Sequence, residues 1–229
     1  MGLIKRGNFL LGACAVALTG LVVGCGGASD NGVSGKSADG IVSAATNAVS
    51  GVKSVHVAGS VRSGGSPTTL DLTLLAGKGA RGQLAEGGLS FRIITLNQVV
   101  YINGSDVFWR HFGGSSAVEL FHGKWLKAPA TGQFASIASL TNAQTLLNQL
   151  LSSHGTLAKG STTTVAGQKV VAVNDTTRGG TLYVATSGPP YPVVVTKAGA
   201  QGGRLLFDRY NEPVTLTAPA NSIDVSKLK

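Results

Sequence analysis

The chain has 229 residues and a formal charge of +9, yet only 13% of its residues are charged, about half the ~25% of an ordinary soluble domain. Glycine fills 33 positions and Val, Thr and Ser are abundant, a composition that points to sheet and turns; with 6% aromatics the core must be built mainly of Val, Leu, Ile and Ala. The basic residues are scattered singly instead of clustered, which argues against a nucleic-acid partner, and two cysteines cannot make a disulfide framework.

The first residues read as an export signal. Lys5 and Arg6 form a basic start, and Phe9 to Val23 is an apolar stretch too short and wrongly flanked to span a membrane comfortably. It ends in Val22-Val23-Gly24-Cys25, which resembles a bacterial lipobox: a small residue lets the signal peptidase reach the bond, and the Cys25 thiol takes a diacylglyceryl group. The expected division is residues 1–24 as signal peptide, 25–38 as a lipidated flexible tether rich in Gly, Ser and Asn, and 39–229 as one folded domain. Cys14 leaves with the signal, so the mature chain keeps one cysteine, at its first position. Lys5 and Arg6 leave too, and the 205 residues that remain hold 17 basic against 10 acidic side chains, a formal +7 that favours anionic partners.

Asp39 to Val52 has helical spacing, with Ile41, Ala45, Val49 and Val52 on one face and Asp39 as the expected cap. Period-2 alternation follows over Val55–Val61, a Gly64-Gly65-Ser66-Pro67 turn, and alternation again over Leu70–Leu74. Short strands are predicted over Ala80–Ala85, Leu89–Leu96 and Val99–Ile102, then a hairpin turn at Asn103-Gly104 leading into Val107-Phe108-Trp109. Helical spacing returns from Phe134 to Leu151, in a segment with Ile137 and Leu140 and another with Leu146, Leu147, Leu150 and Leu151, capped by Thr141 or Asn142. Strands are predicted again over 162–165, 170–173, 182–185, 193–196, 204–207 and 214–216. Strands and helices in separate blocks give an α+β fold with a large antiparallel sheet. So many strands in one sheet must curl, and a few short helices on the concave side leave room for an apolar cavity.

Groups for catalysis do not converge in the sequence. His56, His111, His122 and His154 make no metal-binding spacing, there is no G-x-S-x-G, and the glutamates Glu86, Glu119 and Glu212 lie far apart. No catalytic residue, metal or cofactor is expected.

Several stretches resemble one family. They are Ser54-Val55-His56 after an N-terminal helix, Val100-Tyr101-Ile102-Asn103-Gly104, Gly123-Lys124-Trp125-Leu126, Leu182-Tyr183-Val184, Tyr191-Pro192-Val193-Val194-Val195, and Leu206 to Val214 before an Ala218-Pro219-Ala220 tail. In that order, after a lipobox, they resemble the actinobacterial LppX/LprG lipoproteins, which share the fold of LolA, over about Asp39 to Val225. The resemblance implies a half-barrel sheet closed by helices and a hollow that holds acylated lipid or lipoglycan. No cavity residue can be matched singly to a family motif.

The expected lining is therefore read from the strand and helix patterns. Leu70, Leu72 and Leu74 come from one strand, Phe91 and Ile93 from another. Ile137, Leu146 and Leu150 come from the helices, and Val193, Val195 and Leu206 from the last strands. Trp109, Arg110, Lys124, Trp125 and Lys127 combine aromatic and basic groups suited to a headgroup or membrane surface. The expected protein is a monomeric, non-enzymatic lipid carrier on the outer face of the cell membrane, with a membrane transporter as a candidate partner. The other reading is a scaffold or sensor lipoprotein with a filled core that binds a protein or wall polymer.

Overall fold

The computed structural model describes residues 29–62, 66–135 and 141–228. The export signal, Cys25, the Gly64-Gly65 turn, Ile137 and Leu140 lie outside the described residues.

Helix α1 (Ala38–Ser50) leads into five antiparallel strands, β1 (Ser54–Val61), β2 (Thr68–Leu75), β3 (Gly79–Glu86), β4 (Leu89–Leu96) and β5 (Val99–Gly104). Then come α2 (Asp106–Phe121), β6 (Leu126–Pro129) and α3 (Ala143–Ser152). A second meander follows: β7 (Leu157–Val165), β8 (Gln168–Asp175), β9 (Thr181–Ala185), β10 (Pro192–Lys197) and β11 (Gly203–Asp208), with a short β12 (Ile223–Asp224) at the end. All twelve strands form one sheet in the order β12-β6-β5-β4-β3-β2-β1-β11-β10-β9-β8-β7. Every neighbouring pair is antiparallel except β12 with β6. The fold is α+β, as the patterning predicts.

Cross-strand register sorts the two faces. Leu126, Ile102, Ile93, Gly82, Leu72, Val57 and Phe207 stand opposite one another in one row across β6 to β11, and this is the inner face. Val55, Val57, Leu74, Ile93 and Phe207 are each at most 1% exposed. They share one core with Ile41, Ala45 and Val49 of α1 and with Leu147 and Leu151 of α3. The neighbouring row, Asn103, Arg92, Gln83, Asp71, Ala58 and Leu206, faces the other way. Glycine sets how closely the strands approach. At Gly59 (φ +150°) a Cβ would fall 2.0 Å from the Arg204 carbonyl oxygen, and at Gly82 one would fall 2.0 Å from that of Asp71. Only glycine allows that approach at such φ values.

Three element assignments change. Asn103 and Gly104 do not make a hairpin; they end β5, and Val107-Phe108-Trp109 belongs to α2, whose N-terminus is capped by Ser105 Oγ accepting from the Phe108 N–H at 3.2 Å. Residues 214–216 make no ladder: the chain from Asn211 crosses the outer face, tied by Arg81 Nη1 donating to the Thr215 carbonyl at 3.5 Å. Ser37, not Asp39, caps α1, its Oγ accepting from the Gly40 N–H at 3.2 Å.

The stretch expected as a tether is also packed from Asp30 onward. Asp30 bridges Ser187, and the Asn31 N–H donates to the Thr186 carbonyl at 2.8 Å. Asn31 Nδ2 donates to the carbonyls of Ala185 (3.0 Å) and Gly188 (2.8 Å). Val33, in a single 3-10 turn, is 1% exposed in the core. The Asn and Val that look unremarkable in a Gly/Ser-rich run are what fasten it.

Candidate apolar cavity under a helical hairpin

Helix α2 is two short helices folded back on each other. A straight helix of its length would separate its ends by about 24 Å, yet His122 Nδ1, just past its C-terminus, lies 2.7 Å from Asp106 Oδ1 at its start. The reversal occurs at Gly113 (φ −152°, ψ 16°) and Gly114 (φ 67°, ψ −162°). A Cβ on Gly113 would sit 2.7 Å from the Cβ of Ala117, so glycine permits the two arms to touch.

The arms carry an aromatic chain. Phe108 contacts Phe91 (5.2 Å between centroids), Trp109 (4.9 Å) and Phe112 (4.8 Å), and Trp109 contacts Phe121 (5.2 Å). Between this hairpin and the inner faces of β4, β5 and β6 lies a cavity of about 570 Å³, lined by Phe91, Val100, Ile102, Phe108, Trp109, Phe112, Leu126, Ala128, Phe134 and Val225. None of these ten described residues is ionisable, and the volume falls within the ~300–1,000 Å³ of small-molecule sites. Phe112 lines the cavity and is 66% exposed, so it stands at the boundary with solvent. Trp109 is buried, and its indole Nε1 has no hydrogen-bond partner among the described residues. Such an unmet donor costs about 1–3 kcal/mol.

The residues expected to line a hollow are dispersed. Phe91 is at the cavity. Leu72, Leu74 and Ile93 are filled core, with Leu70 and Leu146 packed on its margin. Leu150 and Val195 line a separate cleft of about 410 Å³ rimmed by His154, Asp175, Arg178 and Lys197. Leu206 and Val193 belong to a small cluster with Val170, Ala185 and Val194 on the other face. Register explains this, because Leu206 shares its row with Asp71 and Arg92, and a bulge between Pro192 and Val194 shifts the alternation of β10. The strand and helix patterns do not single out Val100, Ile102, Phe108, Phe112, Leu126, Ala128, Phe134 and Val225. Val107-Phe108-Trp109 and Phe112 at helical spacing, behind Ser105-Asp106, was the signal available for α2.

The aromatic and basic residues also separate. Trp109, expected at a loop, is inside. Arg110 is exposed on α2 and Lys124 on the loop before β6. Trp125 lies on the outer face, its ring centroid 5.4 Å beneath Arg92 Cζ, while the Arg92 guanidinium donates to Asn103 Oδ1 at 2.8 Å. Lys127 pairs with Asp224 at 3.6 Å. The Ser226 hydroxyl, followed by its N–H and the charge of Lys127, lowers the Asp224 pKa against the opposing effect of burial.

His56, His122 and His154 have hydrogen-bond partners, and His111 rests edge-on against Phe112. Buried His56 has Nδ1 2.6 Å from Asp208 and Nε2 3.0 Å from Asp71 on the outer face, and His154 Nδ1 donates to the Gly155 carbonyl at 2.9 Å. Burial, and to a lesser extent Tyr191 and Asp208, raises the pKa of Tyr210, whose hydroxyl donates to the Pro192 carbonyl at 2.8 Å. Among the described residues no group of three or more His, Cys, Asp or Glu side chains is placed to hold a metal ion, and no helix is long and apolar enough to cross a membrane.

No protein-family model matches the sequence, and no curated protein matches it. Solved structures do match. LppX, a lipoprotein of Mycobacterium tuberculosis, aligns at 17% identity and TM-score 0.49 over 82% of this chain and 100% of its own. LprF from Mycobacterium bovis aligns at 15% identity and TM-score 0.59 over 85% of this chain and 100% of its own. At that identity the likeness is one of architecture: the chain has the fold of the mycobacterial protein LprF.

Proposed function

We propose that this chain is a cell-envelope lipoprotein, anchored through Cys25 on the outer face of the cytoplasmic membrane, that holds an acyl chain of a lipid or glycolipid in the cavity beneath α2. Its role is to take up and hand over lipid, not to catalyse a reaction, and a membrane transporter is the kind of partner that would load it. The observation that carries this reading is the cavity wall: among the described residues, ten from three strands, a helical hairpin and two 3-10 turns, all apolar, around about 570 Å³. A chain of about sixteen carbons gains roughly 13 kcal/mol on burial, at ~0.8 kcal/mol per methylene, before the cost of ordering it. A bilayer offers nearly the same, so transfer between the two runs close to equilibrium, as a carrier requires.

The test is native mass spectrometry of the domain from Gly26, made in a lipid-producing actinobacterium and purified without detergent. Added mass that extracts into organic solvent as acyl lipid is the expected result. Ala128, 5% exposed on the cavity wall, is the position to block. Ala128→Phe should abolish the added mass while leaving the circular dichroism spectrum unchanged. A bare chain mass before and after incubation with host lipids would instead favour the filled-core scaffold, in which the basic surface binds a protein or wall polymer.

A further inference from the structure

The packed stretch Asp30–Lys36 limits how far the domain can stand from its anchor. With a free tether over residues 25–38, the folded part could move about 45 Å from the membrane, at 3.3–3.6 Å per residue. Asp30 and Asn31 are instead fastened to the chain after β9 by the Ser187 bridge and by hydrogen bonds to Ala185, Thr186 and Gly188. Lys159 Nζ adds a hydrogen bond to the Ser34 carbonyl further along. Only five residue steps then separate Cys25 from Asp30, a reach of about 17 Å.

Where Asp30 sits therefore fixes which end of the molecule meets the lipid. Ala185 pairs with Val170, so Asp30 lies at the end of the sheet that holds the start of β8. The registers carry that end across to the start of β10, the end of β11 and the start of β1, then to the β2–β3 and β4–β5 turns. Lys53, Lys78, Lys169 and Arg209 are exposed there, against the exposed carboxylates of Asp30 and Glu212. Lys124 and Trp125 precede β6, whose far terminus, Pro129, pairs with Val99 at the near end. They stand about 13–17 Å further along the strands, level with Arg92 and with Asn103, whose Nδ2 donates to the Lys124 carbonyl at 2.7 Å.

We propose that the end carrying Asp30, Lys53, Lys78, Lys169 and Arg209 is a docking surface for the anionic bilayer in which Cys25 is anchored, held there by the fastened segment, with Lys124 and Trp125 set back from that membrane. This rests on the reading of Cys25 as the lipid anchor.

The experiment uses the lipidated mature chain in vesicles of equal parts phosphatidylglycerol and phosphatidylethanolamine. A dye on a single new cysteine, Gln168→Cys at the near end or Ala200→Cys at the far end, transfers energy to an acceptor lipid. Both positions are exposed, and the Cys25 thiol is blocked by its own lipid. Energy transfer at least about twofold stronger from 168 than from 200 is expected, given the ~20 Å between them along β10. A Gly-Ser insertion of about twelve residues after Gly27, which adds roughly 20 Å of mean span, should erase the difference, and Asn31→Ala should reduce it. Equal transfer from both positions, or stronger transfer from 200, in protein that floats with the vesicles overturns the docking proposal and leaves the anchor intact. Protein that fails to float and lacks the mass of a diacylglyceryl group overturns the anchor reading itself.

Discussion

Asp175 shows how one carboxylate organises a turn. Its Oδ1 accepts from the N–H groups of Thr177 (2.9 Å) and Arg178 (2.8 Å), and its Oδ2 accepts from that of Gly155 (2.8 Å), joining the exit of β8 to the chain before β7. The N–H donors of Arg178 and Gly155 are the main causes that lower its pKa, with burial opposing them. A lowered carboxylate pKa adds stability that is fully present above the unfolded value, about 3.9, and is lost as pH falls through the native one. Asp175→Asn should therefore lower Tm at pH 7, and thermal melts should show the gap to the unsubstituted chain closing below about pH 4; a gap that stays constant with pH would mean the charge contributes nothing. Whether a residue faces in or out was only partly legible at this scale. In Arg204-Leu205-Leu206-Phe207-Asp208 three apolar residues run together, and that run alone places Leu206 inward. The flanking charges, two residues away on each side, share its face and marked it as outward, while Leu205 and Phe207 pack in the core. In β10 no such cue existed, because the bulge arises from pairing with β9 and not from the local residues.

At the scale of elements, α2 is where local pattern and final structure diverge most. Gly114 holds φ 67°, ψ −162°, a region essentially closed to residues with a Cβ and costing about 1–3 kcal/mol to enter. Gly114→Ala should lower the unfolding free energy obtained from urea melts by an amount in that range and open the hairpin, raising the fluorescence of a dye that binds apolar surface. A matching loss from His122→Ala is not expected, because the Asp106–His122 pair is largely exposed and such pairs contribute about 0–1 kcal/mol. If the two substitutions destabilise equally, the backbone at Gly114 is not what holds the reversal. Ten of the twelve strands coincide with alternating runs between glycine-rich turns, so the antiparallel meander could be read from the sequence. The four-residue β6 and the two-residue β12 could not, since they are strands only by virtue of pairing with β5 and with each other. The hairpin was hidden for a different reason: two arms of about seven residues are each too short to establish a helical period, and Gly113-Gly114 reads as a loop.

Across the whole molecule the inner face of the sheet is covered in two unequal ways. Helices α1 and α3 pack on each other, with α1 also against β7 and β8, and their buried side chains join the filled centre formed by β1, β2 and β11. The α2 hairpin covers β4 and β5 but leaves the cavity beneath it, and it carries three of the four large apolar side chains exposed among the described residues: Val107 at 51%, Phe112 at 66% and Leu120 at 56%. Local opening free energy follows the apolar contact each element makes, so the two coverings should come apart at different points. Hydrogen exchange on the lipid-free domain should show α2 amides exchanging well before those of β1 and β2, where Val55, Val57 and Leu74 are fully buried. Loading with acyl lipid should slow α2 selectively, because the chain supplies the contacts that the hairpin lacks, while β1 and β2 change little. Exchange of α2 at the global unfolding rate in the empty protein would mean that the hairpin is as firmly fixed as the core, and that lipid must enter by another route.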